Sequence, residues 1–192
     1  MKMRGVVMKK KWQVLESREI YSSPFFRFKS DRCRLPDGRE NPAYYIFEFA
    51  DWVNVIPMTD DGKLVLIKQY RHGTGEVCIE VPGGSMDSRY ETDPQAAGLR
   101  ELEEETGYRA GVVQFIGKHR PNPALQNNYM HTYLATGCHK VGEPHLDPFE
   151  DIEVVLKTIP ETMELVYSGQ MTHSIILASL FLALPNLGYK IV

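Results

Sequence analysis

Aromatic and β-branched residues recur at short intervals through residues 12–34, interrupted at Ser22-Ser23-Pro24, which predicts two strands. Pro36-Asp37-Gly38 supplies a turn, and residues 43–50 form a third strand. Residues 52–58 and 63–71 flank Asp60-Asp61-Gly62 and predict a hairpin. Residues 77–81 lead as a strand into Pro82-Gly83-Gly84. Further strands are expected over 112–117, 129–135 and 151–158, and helices over 161–167 and 172–184. The apolar run 175–184 is too short to cross a bilayer and reads as a buried helix. No internal repeat, low-complexity tract or interdomain linker stands out.

The stretch that follows Gly84 has a different character. It ends in Arg100-Glu101-Leu102-Glu103-Glu104-Glu105-Thr106-Gly107-Tyr108. Thr92 or Asp93 suits a helix N-cap, Pro94 the first turn and Gly107 the C-terminal cap. Ala96, Ala97, Leu99 and Leu102 give a narrow apolar stripe. At about 100° per residue, Glu101 and Glu105 lie roughly 40° apart, with Glu104 about 60° to the other side of Glu101. Glu103 points elsewhere and is expected to be solvated. Like charges on one arc cost helix stability. They must bind cations, share protons or stay well hydrated. A generic acidic run would be a solvated face, but the preceding glycine pair and the Gly107 stop favour a cation site. An all-oxygen donor set suits Mg²⁺, with Mn²⁺ as the alternative, rather than Zn²⁺. Arg100 is placed to hold a carboxylate through a bidentate contact.

Composition narrows the picture. The 192 residues suffice for a substantial core, and 43% apolar with 24% charged residues is ordinary for a globular protein. A net charge of −3 gives no broad attraction to nucleic acid or to an anionic membrane, so neither partner is expected. Any phosphate ligand must be held locally. Cys33, Cys78 and Cys138 are odd in number and lack a CxxC, as befits reduced thiols in a cytoplasmic protein. The basic start MKMRGVVMKKKWQ has too short an apolar stretch for a signal peptide, and Met8 is an alternative first residue.

Pro82-Gly83-Gly84 followed by RELEEETGY resembles the Nudix box of the Nudix hydrolases. The resemblance implies an α/β/α sandwich with a mixed central sheet, whose loop–helix–loop binds a divalent metal and a diphosphate. Glu101, Glu104 and Glu105 match the box's metal-binding glutamates, Arg100 its orienting arginine and Gly83 a residue whose carbonyl reaches metal. Six residues separate Gly84 from Glu91 and eight separate Glu91 from Arg100, each one more than the box pattern. The loop is therefore enlarged. Either Glu91 swings into the position of the first box glutamate, or Thr92 leaves that position empty.

The opening WQVLESREIYSSPFFRFKSDRCRLPDG, with Lys68-Gln69-Tyr70-Arg71-His72 and Glu80-Val81-Pro82, is similar to the ADP-ribose pyrophosphatase and nucleoside diphosphate sugar hydrolase branch. That likeness implies an antiparallel β extension over residues 1–50, serving dimerisation and substrate contact, and a catalytic domain over 51–192. It implies a homodimer and Mg²⁺-dependent cleavage of a nucleotide sugar, such as ADP-ribose or GDP-mannose, to nucleoside monophosphate and sugar phosphate. Arg71 matches an arginine that binds diphosphate or ribose; otherwise it makes a surface salt bridge. Glu80 either lies in the site or faces outward from its strand. Asn127, Asn128 and His131 bracket a proline-rich loop suited to a ribose, sugar or base edge. Glu150 matches the acidic loop that supplies a metal ligand or general base, with Asp147 and His145 in reserve; His72 is a weaker site residue. The alternatives are hydrolysis of a dinucleotide or oxidised nucleotide, and a non-catalytic sensor. A sensor is expected to lack metal-binding glutamates, and all three are present.

Overall fold

The computed structural model describes residues 11–86 and 91–189. The basic start with Met8, and residues 87–90 of the enlarged loop, lie outside them. The described chain forms two compact units, one of residues up to Phe49 with Asn122–Asn127, the other of Ala50–Pro121 with Asn128 onward.

In the first unit, β1 (Gln13–Ser22), β2 (Phe26–Arg34) and β3 (Glu40–Phe49) form an antiparallel sheet in that order. Alternation sorts its two faces. Phe26 opposes Phe49 and Phe28 opposes Phe47, with ring centroids 5.6 and 4.6 Å apart. The other face carries ions: Lys29 Nζ lies 3.0 Å from Glu48 and 3.5 Å from Asp31. Residues 122–127 join this unit through backbone polar groups, since the Phe47 N–H donates to Leu125 O at 2.8 Å. A division of the chain into consecutive segments does not anticipate that annexed loop.

The second unit holds β4 (Trp52–Thr59), β5 (Lys63–Arg71), β6 (Glu76–Glu80), β7 (Gly83–Ser85), α1 (Pro94–Thr106), β8 (Tyr108–Arg109), β9 (Val112–His119), β10 (Met130–Lys140), β11 (Ile152–Thr158), α2 (Ile159–Tyr167) and α3 (Ser174–Ala183). A 3-10 turn at Leu184–Leu187 ends the last helix. The main sheet path is β11-β5-β4-β10-β8, with β6, β7 and β9 paired to β5, β4 and β10. β10 runs parallel to β4 and the other pairings are antiparallel, so the sheet is mixed. Leu64 to Ile67 are fully buried in succession, as befits a strand covered on both faces.

Alternation along β4 divides the core. Val53 and Val55 pack with Ala97 and Leu102 of α1. Ile56 packs with Ile159, Ile176 and Leu180 beneath the other helices. Helices thus lie on both sides of the sheet, giving the expected α/β/α sandwich. No helix among the described residues is long and apolar enough to cross a membrane. Two short strands escape the sequence reading. β7 is Gly-Gly-Ser, which has no strand propensity. It pairs because glycine lets its backbone press against β4, Gly83 opposite Asn54.

Candidate active site

The acidic helix is built as its sequence implies. Asp93, rather than Thr92, caps it, its Oδ1 accepting the Gln95 N–H at 2.9 Å, and Gly107 ends it in the left-handed region at φ 71°. Ala97 and Leu102 anchor the helix to the sheet, which aims its carboxylates at the glycine strand. Glu105 is 3% exposed, and its Oε2 accepts the Gly83 N–H at 2.8 Å. Glu101 lies against Gly84 so closely that a Cβ there would stand 2.6 Å from Oε1. Gly84 is therefore required by the approach of Glu101.

Arg100 gathers the others. Its Nε donates to Glu91 at 2.8 Å, Nη2 to Glu101 at 2.8 Å and Nη1 to Glu104 at 2.6 Å. Glu91 reaches the arginine, whereas Thr92 is exposed. The Glu103 side chain reaches solvent, as expected, and is forked there by Arg109 at 2.9 and 2.7 Å. Like-charge crowding on α1 is relieved by two arginines on separate sides.

The remaining charge is poorly compensated. Burial pushes the Glu105 carboxyl up to about 8; the charges of Glu101 and Glu150 push the same way, against the Gly83 N–H and Arg71. Burial also raises Glu101, opposed by Arg100 and aided by Glu104 and Glu150. Glu150 is thereby within electrostatic reach of both, with its Oε2 taking the Asp147 N–H at 3.0 Å. Among the described residues no three Asp, Glu, His or Cys side chains converge on one point. Arg100 and the Gly83 N–H hold the carboxylates instead. Three buried or half-buried carboxylates with excess negative charge, all offering oxygen, form a donor set that fits a hard divalent cation.

Arg71 and Glu80 meet beside this cluster. Arg71 Nε and Nη2 donate to the two oxygens of Glu80 at 2.9 and 2.7 Å. Glu80 is 2% exposed, so it faces inward rather than outward. Burial works against its charge, yet Arg71 and then His173 pull its carboxyl down to about 2. Bonding to Glu80 raises the Arg71 pKa, and Glu105 contributes to the same shift. Arg71 is therefore no plain surface salt bridge. His173, whose Nδ1 lies 3.2 Å from Glu80 Oε2, was not legible as a site residue. It lies almost a hundred positions from Glu80, at the start of an apolar helix.

Other expected residues are placed differently. Asn127 belongs to the first unit, where its Oδ1 accepts the Phe49 N–H at 3.3 Å. Asn128 belongs to the second and is 2% exposed, with neither amide atom hydrogen-bonded, rather than lying on an open loop. His131 Nε2 lies 2.8 Å from Asp51, which also accepts the Tyr129 N–H. His145 bonds through its backbone to Glu104 O at 2.7 Å, and its charge acts on Glu103. His72 is exposed in the turn after β5.

The glycine pair yields a contrast. A Cβ on Gly83 would stand 2.8 Å from Asn54 Cα and closer to the Val53 carbonyl, rigid backbone in a buried strand. Gly83→Ala should therefore cost about 1–3 kcal/mol by overpacking. Gly84→Ala meets only the flexible end of Glu101. It should keep most of the stability and lose turnover as Glu101 is displaced. Thermal melts and rate measurements on both variants check this; equal stability losses would contradict it.

A model of the NUDIX domain matches residues 49–167, and one of the nucleoside diphosphate sugar hydrolase N-terminal domain matches residues 12–47. An ADP-ribose pyrophosphatase of Bacillus subtilis (strain 168) is 29% identical over 83% of this chain and 85% of its own. A CMP-5'-(N-acetyl-N-hydroxy-3-aminopropyl)phosphonate hydrolase of Streptomyces rubellomurinus is 30% identical over 85% of this chain and 78% of its own. A crystal structure of an ADP compounds hydrolase superposes with TM-score 0.80 at 22% identity, covering 95% of this chain and 97% of that one. With more than half of its residues under the NUDIX match, and with helix, glycine strand and mixed sheet disposed as that match requires, the chain belongs to the Nudix hydrolase family.

Proposed function

We propose that this hydrolase cleaves the diphosphate bond of nucleoside diphosphate sugars, with ADP-ribose the leading substrate and GDP-mannose and other nucleotide sugars as further ones. The products are a nucleoside monophosphate and a sugar phosphate. The observation that carries the reading is the under-compensated carboxylate cluster of Glu101, Glu105 and Glu150 beside the glycine strand and Arg71. Nudix hydrolases generally depend on a divalent metal. Mg²⁺ is the ion proposed here, with Mn²⁺ as a substitute. Glu101, Glu104, Glu105, Glu150 and the Gly83 carbonyl would hold it. Bound there, the ion would neutralise the diphosphate and lower the pKa of a water.

The chain's own groups have the following roles. Arg71, steadied by Glu80, presents its remaining N–H donors to a diphosphate oxygen. Arg100 keeps Glu101 and Glu104 oriented. Glu150 accepts the proton of the attacking water, and its loop excludes bulk solvent. A homodimer and a cytoplasmic setting belong to the same reading; the three free thiols are consistent with the latter.

The names of the two relatives above support a nucleotide linked to a second group. A panel of nucleotide sugars, a dinucleotide and an oxidised nucleotide, each assayed with Mg²⁺ for release of nucleoside monophosphate, tests the proposal. Turnover is expected first with ADP-ribose. Preference for the dinucleotide or the oxidised nucleotide would redirect the assignment. Binding without turnover of any compound would favour a sensor.

A further inference from the structure

α3 is almost wholly apolar, SIILASLFLA, yet it touches polar groups of the sheet at two points. Ser179, fully buried, takes the Asn54 Nδ2–H at 2.8 Å, lies 3.0 Å from Thr132 Oγ1 and donates to Ile175 O. That network fixes the helix on β4 and β10. The second point is its N-cap, His173. A cap residue ordinarily turns its side chain back onto the first free N–H groups, and Ser, Thr, Asp or Asn does this best. His173 makes no such bond. Its Nδ1 is buried with no hydrogen bond in line, and Glu80 Oε2 stands 3.2 Å away. The histidine thus forgoes capping its own helix and faces a buried carboxylate instead.

Glu80 Oε2 is the same oxygen that receives Arg71 Nη2. Arg71 uses Nε and Nη2 on Glu80, which leaves Nη1 for a ligand. The direction of that remaining edge follows from the plane of the Glu80 carboxylate. The arginine fork ties that plane to Arg71, a side chain that is itself partly exposed, so the pair can still shift as a unit. A second contact on Oε2, from a helix anchored elsewhere, ties the pair to α3.

We infer that His173 is a positioning residue of the substrate site, holding Glu80 so that Arg71 keeps its unused edge toward the diphosphate. The inference rests on the nucleotide-sugar reading above. It requires that His173 act on substrate affinity rather than on the rate of bond breaking, since the contact lies behind Arg71.

His173→Ser separates this role from a structural one, because serine is the better cap. The variant should melt at or above the wild-type temperature. Its KM for ADP-ribose should rise about tenfold, the scale of one close polar contact to a buried carboxylate, with kcat held within about twofold. His173→Asn, whose amide nitrogen sits at the δ position that Nδ1 occupies, should recover part of that KM. A serine variant with wild-type KM, or one whose KM rises only with a lowered melting temperature, overturns the inference. Absence of wild-type turnover on every nucleotide sugar overturns the functional reading, and this inference with it. Wild-type turnover with an unmoved KM in the variant overturns the inference alone.

Discussion

Glu104→Gln should lower turnover by roughly two to three orders of magnitude while the protein folds and melts as before. Glu104 is half-exposed, and its one described side-chain bond is the i,i+4 pair with Arg100 at 2.6 Å. Exposed pairs of that kind contribute about 1 kcal/mol at most. Glutamine has nearly the same size and helix propensity, so α1 survives. What changes is the charge: an amide oxygen is a far weaker partner for a hard cation than a carboxylate. Glu103→Gln is the matched control. That residue sits on the same helix but is forked by Arg109, so its loss should leave turnover within about twofold, the scale of a surface change. Equal losses in the two variants would mean that the helix acts through bulk charge. Unchanged turnover in Glu104→Gln would mean that the acidic helix is not the metal site.

The helix was legible because it is local. Caps, glycines and a 3.6-residue period fix which carboxylates share an arc, and Glu101 and Glu105 do lie against the glycine strand. The long strands were legible for the same reason, through aromatic and β-branched runs. What sequence spacing cannot convey is pairing at a distance. Arg71 meeting Glu80 follows from the antiparallel pairing of β5 with β6, where Arg71 opposes Glu76 and Ile67 opposes Glu80. The two side chains meet across that twisted ladder rather than in direct register. His173 joins them only because α3 packs back over the sheet. Glu103 gains its partner only because β8 brings Arg109 beside it. Asn127 and Asn128, adjacent in sequence, fall into different compact units, because the Asn127 side chain bonds to β3 and Asn128 leads into β10. Asn128 is buried although most of the polar, proline-rich segment before it is exposed.

Glu105 offers a test that needs no substrate. Its carboxyl, raised from 4.5 to about 8, binds a proton more tightly in the folded chain than in the unfolded one. The sign follows from linkage: the stability this group permits is fully present below pH 4.5 and is lost as pH rises through about 8. Stripped of divalent cations with a chelator, the protein should therefore lose of order 4 kcal/mol between about pH 4.5 and 8, the equivalent of burying an unneutralised carboxylate. Glu105→Gln removes the charge, while its amide oxygen can still accept the Gly83 N–H. In chelator the variant should match the wild type near pH 5 and exceed it at pH 8. Mg²⁺ should reverse the order at pH 8, because the cation neutralises the wild-type carboxylate and finds a weaker partner in the amide. Denaturant unfolding at the two pH values, with and without Mg²⁺, gives all four comparisons. A metal-free wild type whose stability does not fall over that window, or a Gln variant that gains as much from Mg²⁺ as the wild type, would remove Glu105 from the cation site.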